Sequence, residues 1–273
     1  MRMSKKSKTI IYILLTLVAL YFLSPFIYML FSAFKTEAEA VAYPPSLFPK
    51  NWNFRNFADA WNAQPFGKFF FNSITVTVLS ALGSMISASL VAYGFARYHF
   101  KGKNILFMIL LSTMMIPWDV TMIPQYMEFK WFGWINTLKP LIVPSWFGSA
   151  YYIFLMRQFL AGIPRDYEEA ARIDGANDFQ IFYKIFVPIM KPSIILIGVL
   201  NMIAAWNDYL GPLIFLQDRD KYTLALGLAA FKGVHSEQII PMLCITIIMI
   251  IPPILVFLFA QKYIVEGTSG SIK

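Results

Sequence analysis

The sequence predicts an all-α integral membrane protein of six transmembrane helices with both termini in the cytoplasm, and three observations carry that reading. Of 273 residues, 58% are hydrophobic and 14% charged, whereas a soluble domain carries roughly 25% charged residues. Six apolar stretches are each long enough to cross about 30 Å of hydrocarbon, which takes roughly 20 helical residues. Lys and Arg, finally, are divided unevenly between alternate connecting segments. The chain reads as a single membrane domain over 1–273, with spans near 9–34, 71–96, 105–126, 140–160, 193–216 and 239–263. Runs such as "IIYILLTLVALYFL" and "LCITIIMIIPPILVFLFA" do not alternate apolar with polar residues, so a β-barrel does not fit.

The first span follows a basic start, and "AEA" at 38–40 resembles a signal cleavage site. Its apolar region of some 25 residues nevertheless exceeds the roughly 7–15 of a secretory signal, so it reads as an uncleaved span. Placing the N-terminus inside puts 14 of the 23 Lys and Arg on the cytoplasmic side, although the outer stretches 35–70 and 217–238 are long. The net charge of +8 follows from this topology and calls for no nucleic-acid partner. Residues 35–70 include the aromatic, proline-rich "YPPSLFPKNWNFRNFADAW", suited to lying along the interface. In the second span Ser80, Ser84, Ala88 and Ala92 recur every four residues beside Gly83 and Ser87, a stripe of small residues that lets helices approach closely.

The third span is interrupted at Pro117 and Pro124, with Asp119 about 21 Å above its cytoplasmic end. Trp206, Asn207, Asp208 and Tyr209 fall about 20–24 Å up the fifth span, so two polar clusters reach one level, where ionisable groups are costly and candidate function. Interface anchoring or helix capping would explain the same residues. Cys244 is alone in the last span, and His99 and His235 lie on opposite sides, which leaves no disulfide and no metal site. No catalytic set is found: there is no phosphate-binding G-x-x-x-x-G-K-[ST], no serine elbow and no zinc helix, and "KGKN" at 101–104 reads as a cytoplasmic anchor.

Between the fourth and fifth spans lies a charged cytoplasmic loop, 161–192. Pro164 can start a helix, Asp166 can cap it, and Glu168 and Glu169 set negative charge at the positive end of its dipole. Ala170, Ala171, Ile173 and Ala176 give a low apolar face with Arg172 and Asp174 beside it, and Gly175 supplies a left-handed end. Asn177 or Asp178 can cap a second helix, "FQIFYKIFV", which Pro188 and Pro192 should terminate. The result is a compact two-helix knob that another protein could grip.

Glu169, Ala170 and Ala171, then Gly175 after three residues, and Ile185 ahead of Val187 and Pro188, resemble the loop signature of ABC importer permease subunits, with Val187 where leucine is usual. Further matches are "MIPWDVTMIPQY" at 115–126, "FGWINT" at 132–137, "AARIDGAN", "WNDYLGPLIF" at 206–215, "KYTLALGLAAFKG" at 221–233 and the tail "YIVEGTSGSIK". Nearly the whole chain is similar to the maltose-type second permease subunit of the sugar-importing branch.

That resemblance implies the type I importer permease fold, in a bacterial or archaeal cell membrane. It implies a homologous second permease subunit, two cytoplasmic ATPase subunits that hold ATP and Mg, an extracytoplasmic solute-binding protein, a sugar substrate and surrounding lipid. This chain itself would bind no cofactor and catalyse no reaction. The ATPase-coupling positions would be Glu168, Glu169, Ala170, Ala171, Arg172, Asp174, Gly175, Ile185 and Pro188, with Glu169 pairing to a basic residue of the ATPase and Gly175 setting the angle between the two short helices. Asp119 and residues Trp206, Asn207, Asp208 and Tyr209 become substrate-pathway candidates, since rings beside carboxylate and amide groups suit a sugar, although in maltose-type importers most sugar contacts lie on the other permease. Lys221, Tyr222 and Thr223 become candidates for docking the binding protein, in a stretch that also reads as a folded surface loop. The tail "EGTSGSIK" would reach the ATPase pair or remain a flexible end. Rival classes are an ion-coupled secondary carrier, which also uses proline-broken helices, and a membrane-anchored enzyme, for which no catalytic groups converge.

Overall fold

The structure, a computed structural model, describes residues 4–231 and 238–269 and is helical, with no strand among the described residues. His235 with the rest of 232–237, in the stretch 217–238, and the last residues of the tail, 270–273, lie outside them. The chain divides into two compact units, Met1–Phe66 with Leu228–Ile251, and Gly67–Gly227 with Pro252–Lys273.

In the first unit, helix Lys5–Ser32 starts where Ser4 accepts a hydrogen bond from the Ser7 amide, 3.2 Å. Its most apolar stretch is unburied all round, as suits a helix that meets lipid. The segment after it folds into a small cluster of its own. Lys35 is only 1% exposed, donates to the Ser46 carbonyl and stands 4.8 Å over the Tyr28 ring. Asn56 Nδ2 donates to the carbonyls of Ala33 and Lys35, both at 2.8 Å. Around them Phe31, Phe34, Phe48, Trp52, Phe54 and Phe57 stack edge and face, which turns the aromatic stretch into a packed corner. Cys244 is buried with Sγ 3.6 Å from the Ala33 carbonyl, a packing role.

The second unit is organised by helix Phe66–Arg97. Ser80 and Ser84 are 1% exposed and Ala88 and Ala92 fully buried, so the small-residue stripe is a packing seam. A side chain at Gly83 would meet the Trp146 ring at 2.5 Å, so only glycine fits there. Against the seam pack Tyr152, Ile153, Met156, Leu160, Ile181, Phe186, Met190 and Ile197.

Of the six segments read as spans, four are helices long and apolar enough to cross a membrane: Lys6–Ser32, Phe66–Arg97, Asp178–Asn207 and Ile239–Ile264. A fifth is obtained by joining Lys103–Met115 to Trp118–Trp131, which meet at a 99° bend. Pro117 adopts an extended ψ of 142° there, and the missing proline N–H ends the preceding helix. Segment 140–160 is not one helix. It breaks into Lys139–Ile142, a 3-10 turn Val143–Phe147 and a 12-residue helix Ala150–Ala161, because Pro140, Pro144 and a left-handed Gly148 fall within it. Segment 193–216 also breaks, at an extended Asp208, before the short helix Leu210–Phe215.

Two prolines do less than expected. Pro188 and Pro192 do not end the second loop helix, since Asp178–Asn207 is continuous through them. A π-helical stretch, Ile181–Phe186, precedes Pro188, so the register in which the Lys184 carbonyl would lose its i+4 donor has already changed. Glu266–Ser269, read as part of a flexible tail, continue helix Ile239–Ser269.

Candidate functional site

The acidic loop forms two helices joined at a defined bend. Helix Asp166–Ile173 takes Arg165, not Asp166, as its first boundary residue: the amides of Glu168 and Glu169 bond to the Arg165 carbonyl at 2.8 and 3.2 Å. Asp166 therefore joins Glu168 and Glu169 in the first turn and favours the helix dipole from there. At the other end Gly175 has φ +79°, the Ala176 amide reaches the Ala171 carbonyl at 2.9 Å and the Gly175 amide reaches the Arg172 carbonyl at 3.1 Å. This paired 6→1 and 5→2 bonding is the Schellman termination that a left-handed residue permits. Asn177 and Gln180 then form a reciprocal capping box, both bonds 2.9 Å.

Arg172 closes the bend by bonding Asp178 Oδ1 at 2.6 Å. Both side chains are about half exposed, so the pair contributes about 0–1 kcal/mol and sets geometry more than stability. The Tyr98 phenol is pushed up by partial burial and then by the Asp178 carboxylate it faces, so it stays neutral beside that pair.

Arg97, which the sequence marks only as an inward charge, is the root of the loop. Its side chain is 6% exposed and Nη2 donates to the Leu160 and Ile163 carbonyls at 2.7 and 2.9 Å. The guanidinium stands 4.6 Å over the Phe186 ring, and Nε lies 3.5 Å from Glu168 Oε1, close enough for attraction but without hydrogen-bond alignment. One cation thus joins the end of Ala150–Ala161, the first turn of Asp166–Ile173 and the π segment.

The outward side is open. A concavity of about 610 Å³ is lined by Pro164, Asp166, Tyr167, Ala170, Ala171, Asp174 and Ile185. Beside it Ile173 is 86% exposed and Phe179 stacks on Tyr183, both rings exposed. Glu169 and Pro188 are exposed, and Glu169 forms no ion pair among the described residues. An apolar patch beside a free carboxylate is the composition of a surface meant to be covered.

A second concavity, about 690 Å³, brings Asn207, Asp208 and Tyr209 together with Trp118, Gln125, Ser145, Ser80 and Asn201. Asn207 donates to the Ile203 carbonyl at 2.8 Å, at the end of its helix, and Asp208 Oδ1 accepts from the Gly211 amide at 3.1 Å, capping the start of Leu210–Phe215, so each is partly used locally. Asp119 is exposed in the first turn of Trp118–Trp131 and does not line the cleft, whereas its neighbour Trp118 does. Trp206 is 4% exposed, packs 6.0 Å from Phe70 and lines a separate apolar pocket of about 130 Å³. Asn201 is the polar residue that hydropathy hides: it accepts from Ser80 Oγ at 2.9 Å and donates to Ser84 Oγ at 3.0 Å at the cleft floor.

The stretch after the cleft is pinned from several sides. Asn136, at φ +62°, accepts from the Gln217 and Asp218 amides at 3.1 and 2.9 Å and donates to Asp218 Oδ2 at 2.6 Å. Asn136 and then Lys221 hold the Asp218 carboxyl below its ordinary value of 3.8. Lys68 pairs with Asp220 at 2.7 Å, and Asn72 donates to the Asp220 and Tyr222 carbonyls. Of the three docking candidates, Lys221 bonds Asp218, Tyr222 is half-buried and Thr223 is 3% exposed.

Long apolar helices, a polar cleft and an exposed bent loop are the build of a helical membrane protein. Residues 85–270 match the family described as binding-protein-dependent transport system inner membrane component, and the chain belongs to that family. It is 32% identical over 261 residues to the arabinooligosaccharides transport system permease protein AraQ of Bacillus subtilis, covering 94% of this chain and 92% of that one. It is 33% identical to the melibiose/raffinose/stachyose import permease protein MelC of the same organism, covering 98% of both. Among solved structures it superposes with TM-score 0.82 and 26% identity on a chain of a bacterial ABC transporter involved in the import of the acidic polysaccharide alginate, covering 97% and 99%. The family is one of transport permeases and not of catalytic subunits.

Proposed function

We propose that this chain is one permease subunit of an ATP-driven importer of sugars, most of all oligosaccharides, forming half of the translocation pathway. The bent pair Lys103–Met115 and Trp118–Trp131 makes one span and the broken stretch 139–161 another, which brings the count to six with both termini cytoplasmic. A homologous second permease, two ATPase subunits carrying ATP and Mg, and an extracytoplasmic binding protein complete the assembly. Glu169 and the neighbouring apolar patch dock in the ATPase, Gly175 holds the angle, and Arg97 passes movement of the loop to the helix Phe66–Arg97. Asn207, Asp208, Tyr209 and Asn201 face the sugar in the cleft, with Asp119 and Trp206 acting from its margins, and the pinned stretch at Lys221, Tyr222 and Thr223 meets the binding protein.

The observation that carries this reading is the exposed knob built on the Schellman bend, a surface with no use in a secondary carrier. Reconstituted vesicles test it: sugar uptake should run on internal ATP with ionophores present and fail in Glu169→Lys. Uptake abolished by the ionophores, or unchanged in Glu169→Lys, would remove the coupling claim.

A further inference from the structure

A further cavity of about 460 Å³ lies at the other end of helix Phe66–Arg97 from the cleft, lined by His99, Gly102, Lys103, Asn104, Ile105 and Arg157. Its charge is one-sided. Lys103 Nζ donates to the Tyr98 carbonyl at 2.9 Å, and Arg165 Nη2 lies 3.1 Å from His99 Nε2. Arg157 stands 4.1 Å over the Phe107 ring, and its Nε is buried without a hydrogen-bond partner. Among the described residues no carboxylate lies within ion-pair distance of Lys103, Arg157 or Arg165. Lys103 and Arg157 on the lining, with Arg165 held against His99 at its edge, are three cations without a carboxylate partner, one of them with an unsatisfied buried Nε, and such a cup suits an anion. Gly102, left-handed at φ +81°, turns the chain so that helix Lys103–Ser112 adds the positive end of its dipole to the same cup.

What the anion belongs to is shown by the flank. Directly past the cup Ile105, Leu106, Met108 and Ile109 are 51 to 61% exposed, an apolar face on the first half of the bent pair Lys103–Met115 and Trp118–Trp131, which has the length and hydropathy of a span when joined. A free phosphate has no use for such a face, whereas a lipid needs both parts. We infer that this cup binds the phosphate headgroup of an anionic phospholipid, whose acyl chains lie along that face. Basic pockets between helices at the cytoplasmic side of a membrane suit this ligand. The inference rests on the reading of this chain as membrane-spanning with residues 97–104 inside. It does not rest on the transported substrate.

The test is lipid retention by the full-length chain in mild detergent, read by native mass spectrometry with phosphatidylglycerol or phosphatidylcholine added. Retention is independent of transport, so this idea and the importer reading can fail separately. Phosphatidylglycerol should be retained in preference, and Lys103→Gln with Arg157→Gln should weaken that about 30-fold, two cations of the cup being removed. Lys103→Gln alone, which keeps the Arg157 guanidinium over Phe107 and serves if the double variant misfolds, should weaken it about fivefold. Lys6→Gln with Lys8→Gln, an equal charge loss elsewhere, should leave it intact. Equal retention of the two lipids, or equal loss in both charge-removal variants, overturns the proposal. So does release of the lipid by millimolar inorganic phosphate, which marks a free-anion site, or its absence when the ATPase is bound, which marks a protein contact.

Discussion

Replacing Arg97 by Met probes the mechanical root of the loop. The substitution keeps much of the apolar stem but removes both donors to the Leu160 and Ile163 carbonyls and the cation over Phe186, and it strands Glu168 at 13% exposure. Two deprived carbonyls cost about 1–3 kcal/mol each at most, and the ring contact adds about 1 kcal/mol. Partial relaxation brings the whole to about 3–5 kcal/mol, the range for breaking a buried charged network. Glu168→Gln, by contrast, leaves Arg97 with both carbonyls, and the 3.5 Å approach is not a formed hydrogen bond, so about 1 kcal/mol is lost. Chemical denaturation of the purified chain in detergent, followed by tryptophan fluorescence, measures both. Equal costs in the two variants, or a loss below about 1 kcal/mol in Arg97→Met, would refute the assignment of Arg97 as the anchor.

Gly175 has no heavy atom within 4 Å of where a side chain would start, so Gly175→Val acts through the backbone alone. It should cost about 1–2 kcal/mol of loop conformation and uncouple ATP hydrolysis from uptake, while Gly175→Asn retains most of both. Gly211→Ala drives a methyl into the Asp208 carboxylate that caps the neighbouring turn, and should lower stability by about 1–3 kcal/mol with loss of uptake. The Asp218 carboxyl titrates below its ordinary value, so its clamp on Asn136 is complete above that value and weakens as pH falls through the lowered one. NMR titration of Asn136→Ala should return Asp218 toward 3.8, and an unmoved value would remove the clamp.

Local chemistry made the acidic loop legible in the sequence: the left-handed Gly175 and the Asn177–Gln180 box each rest on residues a few positions apart. The small-residue stripe was equally plain, because burial repeats every four residues on one helix face. Arg97 was not, since its partners Leu160, Ile163, Glu168 and Phe186 lie more than sixty residues away and follow no period. Asn201 was hidden in an apolar run, although its spacing opposite Ser80 and Ser84 was available once the helices were paired. Hydropathy averaged over Pro140, Pro144 and Gly148 and so reported a continuous segment where the backbone breaks.

The account stands most directly on contact between the bend and an ATPase. Ile173 is 86% exposed beside Gly175, and Cys244 is buried, so Ile173→Cys introduces one reactive thiol at the knob. Membranes carrying this variant with its natural companions, treated with a short thiol-to-amine crosslinker, should yield one adduct to a nucleotide-hydrolysing subunit, its yield changing when ATP is added. An intact, sugar-transporting assembly that gives no such adduct would contradict the account.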